Sequence, residues 1–445
     1  MHPIDIGAVA LARAIRSREV SSEEAVRTCL DRITARDPEL AAFVEVHGAP
    51  ALKDARKKDA RRVDPQGADA PFHGVPIAVK DLNFVRFRTT RFGGSGMPAI
   101  WSPMDDVSVS RLRAAGFVIL GKTATSELGV VPITEPVGRP PTRNPWDPGR
   151  TPGGSSGGAG AAVAAGLVPV AHGSDGGGSI RIPASFCGLV GLKAGRGVIP
   201  NNLGIKDPGV IYTCGALTRN VEDAEAMLRV QGAPVPAAKT GPLRIRMLLD
   251  VSLLETDPHV RAAIEDTGRL LSAAGHHVEL GSAALGDVDE FLPIWQHLIG
   301  AIGLLRPRRA EPVTRWLAEA GRKLDVAFVR RRQAELTERW GAWLEACDVV
   351  LTPTVGVPPP AVDAYPREDG EAYFRRAALL GVWTAPFNVT GMPALSVPVG
   401  LHPLGTPIGA QLGGPAGSEA TLLALARTIE AERPLGARAK VWAGG

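Results

Sequence analysis

Two glycine-rich runs carry the serines whose type and spacing could perform chemistry. Ser155 and Ser156 lie in TPGGSSGGAGAAVAAG, and Ser179 follows three glycines in HGSDGGGSIRIPASFCG. Without Cβ atoms, successive glycines can turn their backbone N–H groups toward one point. Such a nest suits a developing oxyanion, so a serine beside it is a candidate nucleophile for acyl transfer.

The first of these runs also matches GxSxG, the strand-to-helix turn that exposes the nucleophile of α/β-hydrolases. That turn requires an apolar strand before the first glycine, and an acid and then a histidine downstream. The preceding residues, PTRNPWDPGRTP, are typical of turns, and none of the downstream histidines lies in a conspicuous loop motif. The pattern therefore favours a tight turn before a helix.

A third motif, GFVILGKT at residues 116–123, satisfies the P-loop expression and would place Lys122 on a nucleotide phosphate. A phosphate loop must expose its backbone N–H groups. The intervening residues here form a continuous apolar run that predicts a buried strand. A strand ending in a turn is favoured over an NTPase.

The composition is that of a globular protein. Of 445 residues, 44% are hydrophobic and 22% charged. A net charge of +4 over this length does not indicate a nucleic-acid partner. The four cysteines form no CxxC pair, and no apolar run reaches the length of a membrane span. With no signal-peptide pattern, we expect a cytoplasmic protein that has no membrane segment.

Short apolar runs alternate with glycine-rich turns and helical stretches, which predicts an α/β fold. No long polar linker divides the chain, so we expect one domain over residues 1–445. Within it, residues 1–70 are expected to form N-terminal helices, residues 71–215 the catalytic core, and residues 288–345 a helical region around the substrate pocket.

Together, the two serine motifs and GVPIAVKD at residues 74–81 resemble the amidase signature family. Further matches follow in the family's order: GKT at 121–123, NPWD at 144–147, CGLVGLKAG at 187–195, LTPT at 351–354, NVTGMPALSVPVG at 388–400 and GAQLGG at 409–414. SDGGGSIRIPAS is most similar to hydrolases of aminohexanoate oligomers and related small-amide amidases. The ammonia-liberating subunit of tRNA-dependent amidotransferases usually reads TDTGGSIR, from which Ser174 and Gly176 depart.

The resemblance implies a single α/β/α layered domain around a large twisted mixed sheet, and a Ser-cisSer-Lys triad with no cofactor and no metal. The triad roles it implies are nucleophile for Ser179, bridge for Ser155 after a cis peptide bond, and terminal base for Lys80. The N–H groups of Gly176, Gly177, Gly178 and Ser179 are expected to form an oxyanion hole. The 24-residue spacing between Ser155 and Ser179 leaves Ser156 as a hydroxyl at a helix start. Asp175 and Arg181 flank the nucleophile, and we expect an ion pair that braces the loop rather than two substrate ligands.

The expected reaction is hydrolysis of small, fairly hydrophobic amides, with esters and carbamates as further candidates. A glutaminase subunit of a tRNA-dependent amidotransferase is the alternative. We expect the pocket to draw on residues 125–137, 196–213 and 288–345. Four tryptophans in the last range are expected in the core more than in the pocket: Trp295, Trp316, Trp340 and Trp343. The expected partner is a small-molecule amide, and the expected assembly is a monomer or homodimer.

Overall fold

The structure is a computed structural model that describes residues 3–61, 70–200, 211–282 and 287–433. Parts of the expected N-terminal region and of the 196–213 pocket segment, and the side chain of Trp343, lie outside the described residues. The strands within this part of the chain are β1 (Phe43–Val46), β2 (Pro76–Lys80), β3 (Arg88–Thr90), β4 (Ile100–Ser102), β5 (Val118–Thr123), β6 (Val170–Asp175), β7 (Val190–Lys193), β8 (Thr213–Thr218), β9 (Arg244–Met247), β10 (His277–Leu280), β11 (Val349–Pro353), β12 (Ala394–Leu401) and β13 (Pro407–Gly413).

The helices flank these strands and are numbered in chain order. They are α1 (Pro3–Ile6), α2 (Ala8–Arg16), α3 (Ser22–Leu40), α4 (Gly48–Asp59), α5 (Val107–Ala114), α6 (Gly157–Ala164), α7 (Arg181–Cys187), α8 (Val221–Gln231), α9 (Pro258–Ala273), α10 (Val288–Ile302), α11 (Pro312–Gly321), α12 (Val326–Glu345), α13 (Gly370–Ala378), α14 (Ala385–Thr390) and α15 (Glu419–Glu432). Among the described residues, no helix combines the length and the apolar character needed to cross a bilayer.

Eleven of the strands form one mixed sheet, in the order β1-β5-β2-β6-β8-β7-β12-β13-β11-β9-β10. Near the start of this order β5, β2 and β6 run parallel, whereas β6, β8, β7, β12 and β13 pair antiparallel in succession. The α/β class and the large mixed sheet expected from the sequence are confirmed.

The parallel strands β2 and β6 position two of the candidate site residues, Lys80 and Asp175. Val79 lies opposite His172 in their register, so Lys80 and Asp175, the last residues of the two strands, reach the same edge of the sheet. Every residue of β2 and β6 is buried, including the polar residues at the ends of the two strands.

Helix α6 consists of small residues because it packs against the sheet at very short range. All eight of its residues are buried, and a Cβ on Gly158 would lie 2.4 Å from the backbone nitrogen of Ala124. Close backbone approach of this kind is what glycine permits. The helix start, which carries the two serines, is thereby held close to the chain that leaves β5.

The P-loop-like motif is a strand in the structure. Residues 118–123 form β5, and the side chain of Lys122 is fully buried with its Nζ 2.8 Å from Asp81 Oδ1. Its Nζ also donates to Thr90 Oγ1 at 2.9 Å. Because this ammonium is enclosed by protein partners, the geometry supports the interpretation of residues 116–123 as a strand and turn.

Candidate active site

Lys80 ends β2 with its side chain wholly inside the protein, where Nζ lies 2.8 Å from Ser155 Oγ. Two further contacts reach Ser174, at 3.0 Å to Oγ and 3.3 Å to the carbonyl oxygen. As an ammonium, Nζ can donate to all three oxygens. As a neutral amine, it can donate to both Ser174 oxygens and accept from the Ser155 hydroxyl. Both protonation states are therefore satisfied without any rearrangement.

The electrostatics of this pocket favour the neutral amine. Burial lowers the pKa of Lys80 to about 7, although the Asp175 carboxylate acts in the opposite direction. Desolvation disfavours a charged lysine in this way because its hydration is lost. A lysine that titrates near neutral pH can accept a proton, whereas an ordinary lysine near pKa 10.4 remains charged.

Ser155 lies at the turn that leads into α6, and the Gly154–Ser155 peptide bond is cis, as the resemblance implies. Thr134 Oγ1 donates to the Gly153 carbonyl at 2.9 Å and approaches the Ser155 carbonyl at 3.3 Å. Gly157 N–H donates back to Thr134 Oγ1 at 3.1 Å. One threonine hydroxyl thus fixes the backbone on both sides of Ser155.

Ser156 precedes α6, as expected, and links the two serine-bearing loops. Its Oγ donates to the Ser174 carbonyl at 3.1 Å, and its N–H donates to the Ser179 carbonyl at 3.2 Å. Ser179 itself is buried but lines an open pocket. The structure therefore brings Lys80, Ser155 and the loop of Ser179 together, with Ser156 between them.

Asp175 and Arg181 form the ion pair expected on either side of Ser179. Both side chains are fully buried, and Arg181 Nη2 lies 2.9 Å from Asp175 Oδ1. Burial by itself would raise the pKa of Asp175, but the Arg181 contacts hold it below its usual range. The guanidinium also donates to three groups from the C-terminal part of the chain: Thr384 O, Gln411 Oε1 and Asn388 Oδ1.

The expected oxyanion hole needs one correction, at Gly178. Its N–H donates to Asp175 Oδ1 at 2.7 Å, so it is already engaged and does not point into a substrate site. Gly178 has a φ of 127°, and a Cβ there would lie 2.2 Å from Thr384 Oγ1. Glycine is therefore required at this position to turn the chain, rather than to offer a donor.

Three donors of the same turn remain open. Across the described residues, no protein acceptor is recorded for the N–H groups of Gly176, Gly177 and Ser179. Thr384 Oγ1 donates to the Gly177 carbonyl at 2.6 Å, which fixes the orientation of the peptide after Gly177. A nest of oriented N–H groups beside Ser179 can stabilise negative charge.

The pocket above Ser179 is almost entirely apolar and is open to solvent on one side. Among the lining residues that the structure describes, Asp287 alone carries a charge. The walls come from the expected 125–137 loop, from α10 and α12, and from a region not expected from the sequence, residues 374–386. The principal apolar side chains are Val130, Val131, Phe291, Trp295, Trp340, Phe374 and Val382.

The expectation that the tryptophans belong to the core is only partly right. Trp295 and Trp340 are both buried, at 7% and 4% exposure, yet both line the pocket. Trp316 packs against Phe374 and is absent from the described lining. His172 and Cys187, by contrast, are core residues, and burial lowers the pKa of His172 to about 3.

Comparison with known proteins agrees with this geometry. The family model described as Amidase matches residues 24–301 and 304–423. A Mycobacterium tuberculosis relative whose name includes amidase AmiA2 is 39% identical, over 94% of this chain and 91% of its own.

Two solved structures bear on the fold. A 6-aminohexanoate cyclic dimer hydrolase superposes with a TM-score of 0.89 at 30% identity, covering 98% of this chain and 99% of its own. One subunit of the glutamyl-tRNA(Gln) amidotransferase of Thermotoga maritima covers 98% of both chains with a TM-score of 0.76, and at 24% identity it shows the fold alone. With the family model matched along most of its length, the chain belongs to the amidase signature family of amide hydrolases.

Proposed function

We propose that the chain hydrolyses small, uncharged, fairly hydrophobic amides through an acyl-enzyme on Ser179, with Ser155 as the proton relay and Lys80 as the terminal base. The observation that carries this proposal is the 2.8 Å contact between the buried Lys80 Nζ and Ser155 Oγ. Serine attacks a carbonyl only as its proton leaves. A lysine whose pKa lies near 7 is a suitable acceptor for that proton.

In the acylation step, Ser179 Oγ attacks the amide carbonyl and passes its proton to Ser155, which passes its own to neutral Lys80. The tetrahedral oxyanion accepts hydrogen bonds from the N–H groups of Gly176, Gly177 and Ser179. The intermediate then collapses, and the C–N bond breaks as the proton returns through Ser155 to the leaving amine. Water attacks the acyl-enzyme by the same proton route and releases the acid.

The apolar lining supports the substrate class. Uncharged substrates gain from burial against these walls, whereas a charged group would lose its hydration without a partner. Esters and carbamates have the same electrophilic carbonyl, so we include them as further substrates. Free glutamine carries a carboxylate, and its binding site would need a cation. No cationic side chain is among the described lining residues, so the glutaminase alternative has no observation in its favour.

The remaining parts of the proposal concern the state of the protein. We propose that residues 1–445 form one domain that acts without a cofactor, as a monomer or homodimer, in the cytoplasm. All four cysteines are buried thiols, which is compatible with a reducing compartment. A small-molecule amide is the proposed partner.

Purified protein, tested alone, provides the experiment. We expect turnover of aryl amides such as 4-nitroanilides, slower turnover of glutamine, and no turnover by Ser179→Ala. A serine-directed phosphonate should add to Ser179 and not to Ser155 or Ser156 when the labelled peptide is mapped by mass spectrometry. Labelling of Ser155 or Ser156, or glutamine turnover as fast as that of the best anilide, would overturn the proposal.

A further inference from the structure

Gly176 is a glycine because of what lies next to it. A Cβ on Gly176 would lie 3.0 Å from Cη2 and 3.1 Å from Cζ3 of Trp295. Its φ lies outside the left-handed range, in contrast to that of Gly178, so the backbone would accept any L-residue. The absence of a side chain here therefore makes room for the indole, which lies directly against the turn that carries Ser179.

The indole of Trp295 is held from three sides. Its Nε1 donates to the Val130 carbonyl at 3.1 Å, which joins α10 to the pocket loop. One helical turn earlier, Phe291 stacks on it with ring centroids 5.8 Å apart. Gly176 closes the third side. A ring fixed by a hydrogen bond, a stacked ring and a backbone surface is a rigid wall, because any displacement sacrifices one of these contacts.

This wall borders the reacting atoms. Gly176 directly precedes Gly177, whose N–H is a proposed oxyanion donor, and Trp295, Gly177 and Ser179 line the same pocket. A substrate carbonyl bound there places its oxygen in the turn. The atom next to the carbonyl carbon is two bonds from that oxygen and its substituents are three bonds away, so branching at this atom would reach the indole before other parts of the pocket.

We infer that Trp295, seated against Gly176, is a specificity-determining residue that selects amides with an unbranched apolar chain at the carbonyl. The inference rests on the proposed acyl-enzyme on Ser179. Gly176 and Trp295 act as a size-matched pair: bulk added at Gly176 displaces the indole into the pocket, and bulk removed at Trp295 opens the pocket beside the carbonyl.

The test compares two isomeric substrates, the 4-nitroanilides of hexanoic acid and 2-ethylbutanoic acid, which differ in branching but not in carbon number. Trp295→Leu should raise the ratio of kcat/KM for the branched over the linear substrate by about tenfold or more, the range that one or two misfit methylenes produce in a pocket. The matched control is Trp146→Leu. The indole of Trp146 likewise donates to a backbone carbonyl, that of Cys187 at 2.9 Å, but does not line the pocket. This control should leave the ratio unchanged.

A double-mutant cycle tests the pairing. Gly176→Ala should lower kcat/KM for the branched substrate more than for the linear one, and adding Trp295→Leu should remove most of that selective loss. If Gly176→Ala does not fold, Trp295→Phe, which shrinks the ring, should shift the ratio in the same direction as Trp295→Leu by a smaller factor. An unchanged ratio in folded Trp295→Leu overturns the inference while phosphonate labelling of Ser179 still upholds the proposed function. Wild-type protein that neither labels at Ser179 nor turns over either anilide overturns both.

Discussion

Lys80 Nζ and Ser155 Oγ lie 2.8 Å apart, with both side chains shielded from solvent. This contact joins the end of β2 to the turn before α6, 75 residues further along the chain. Because Nζ has three oxygen neighbours and a pKa near 7, this contact can transmit a proton in either direction near neutral pH. This contact would supply the Lys80–Ser155 step of the proposed proton relay.

Replacing Lys80 by arginine should abolish turnover while retaining positive charge. A guanidinium stays protonated at usable pH and cannot accept the relay proton, so we expect kcat to fall about 10³-fold or more. In the wild type, the rate should rise with pH through about 7, because neutral Lys80 is the proposed proton acceptor. The measurement is the pH profile of kcat, with Lys53→Arg at an exposed position of α4 as the control. Near-normal turnover by Lys80→Arg would show that the site uses charge rather than proton acceptance.

Removing the hydroxyl of Ser174 should change the acidity of Lys80. Ser174→Ala deletes one of the acceptors of the ammonium, at 3.0 Å, and so disfavours the charged form. We expect the acidic limb of the pH–rate profile to move to lower pH, and kcat at its plateau to fall because the amine is less well held. Ser174→Thr keeps a hydroxyl and should restore the limb. A lower kcat with an unmoved limb would mean that Ser174 acts only through packing.

The order of the candidate catalytic motifs along the chain could be predicted from the sequence, because each motif is a local turn with its own residue requirements. The strand before Lys80, the glycine turns around Ser155 and Ser179, and the Asp175–Arg181 pair depend on neighbours within a few residues. Ser21, which precedes α3, illustrates the same point, since its hydroxyl accepts from the N–H of Glu24, three residues further along the chain. Local rules are sufficient for such features.

Features that depend on contacts between distant segments could not be predicted from the sequence. NVTG and GAQLGG are recognisable as motifs, but their roles appear only when Asn388 and Gln411 meet Arg181, 207 and 230 residues away. The hydrogen bond from Gly178 N–H to Asp175 depends on the backbone conformation of this turn, which a run of glycines does not determine. The pocket wall at residues 374–386 likewise lines the same pocket as the 129–132 loop only in the folded chain.

Neutralising Asp175 should destabilise the fold severely. All five guanidinium N–H groups of Arg181 have acceptors, two of them on Asp175, so Asp175→Asn leaves a buried charge without its counter-ion. We expect a loss of about 3–5 kcal/mol in the free energy of unfolding. The control is Asp266→Asn, whose partner Arg269 is exposed, and it should cost less than about 1 kcal/mol. Equal losses from chemical denaturation would contradict the assignment.

The P-loop-like lysine should behave as a structural residue. Magnesium–ATP should leave the melting temperature unchanged, because Lys122 is enclosed against Asp81. Lys122→Met strands the buried Asp81 carboxylate and should cost about 3 kcal/mol or more, whereas adding Asp81→Asn should recover part of that loss. Differential scanning fluorimetry measures both effects. Stabilisation by nucleotide that disappears in Lys122→Met would contradict the structural role.

Glu311 should make stability fall as the pH rises toward neutrality. Burial, with the nearby Glu127 and Glu135, raises the pKa of Glu311 to about 7, while its Oε1 accepts the Val137 N–H at 3.2 Å. Since the native carboxyl binds its proton more tightly than the unfolded one, whose pKa is about 4.3, the folded state is favoured at low pH, and this advantage is lost between about pH 4 and 7.

Glu311→Gln keeps an acceptor for Val137 without the charge, so its stability at pH 8 should exceed that of the wild type by on the order of 2 kcal/mol, and the difference should shrink toward pH 5. Urea unfolding at both values measures this, with exposed Glu319→Gln on α11, the helix that Glu311 precedes, as the control. A difference that stays constant from pH 5 to 8 would mean that the substitution acts through packing and that Glu311 does not titrate in this range.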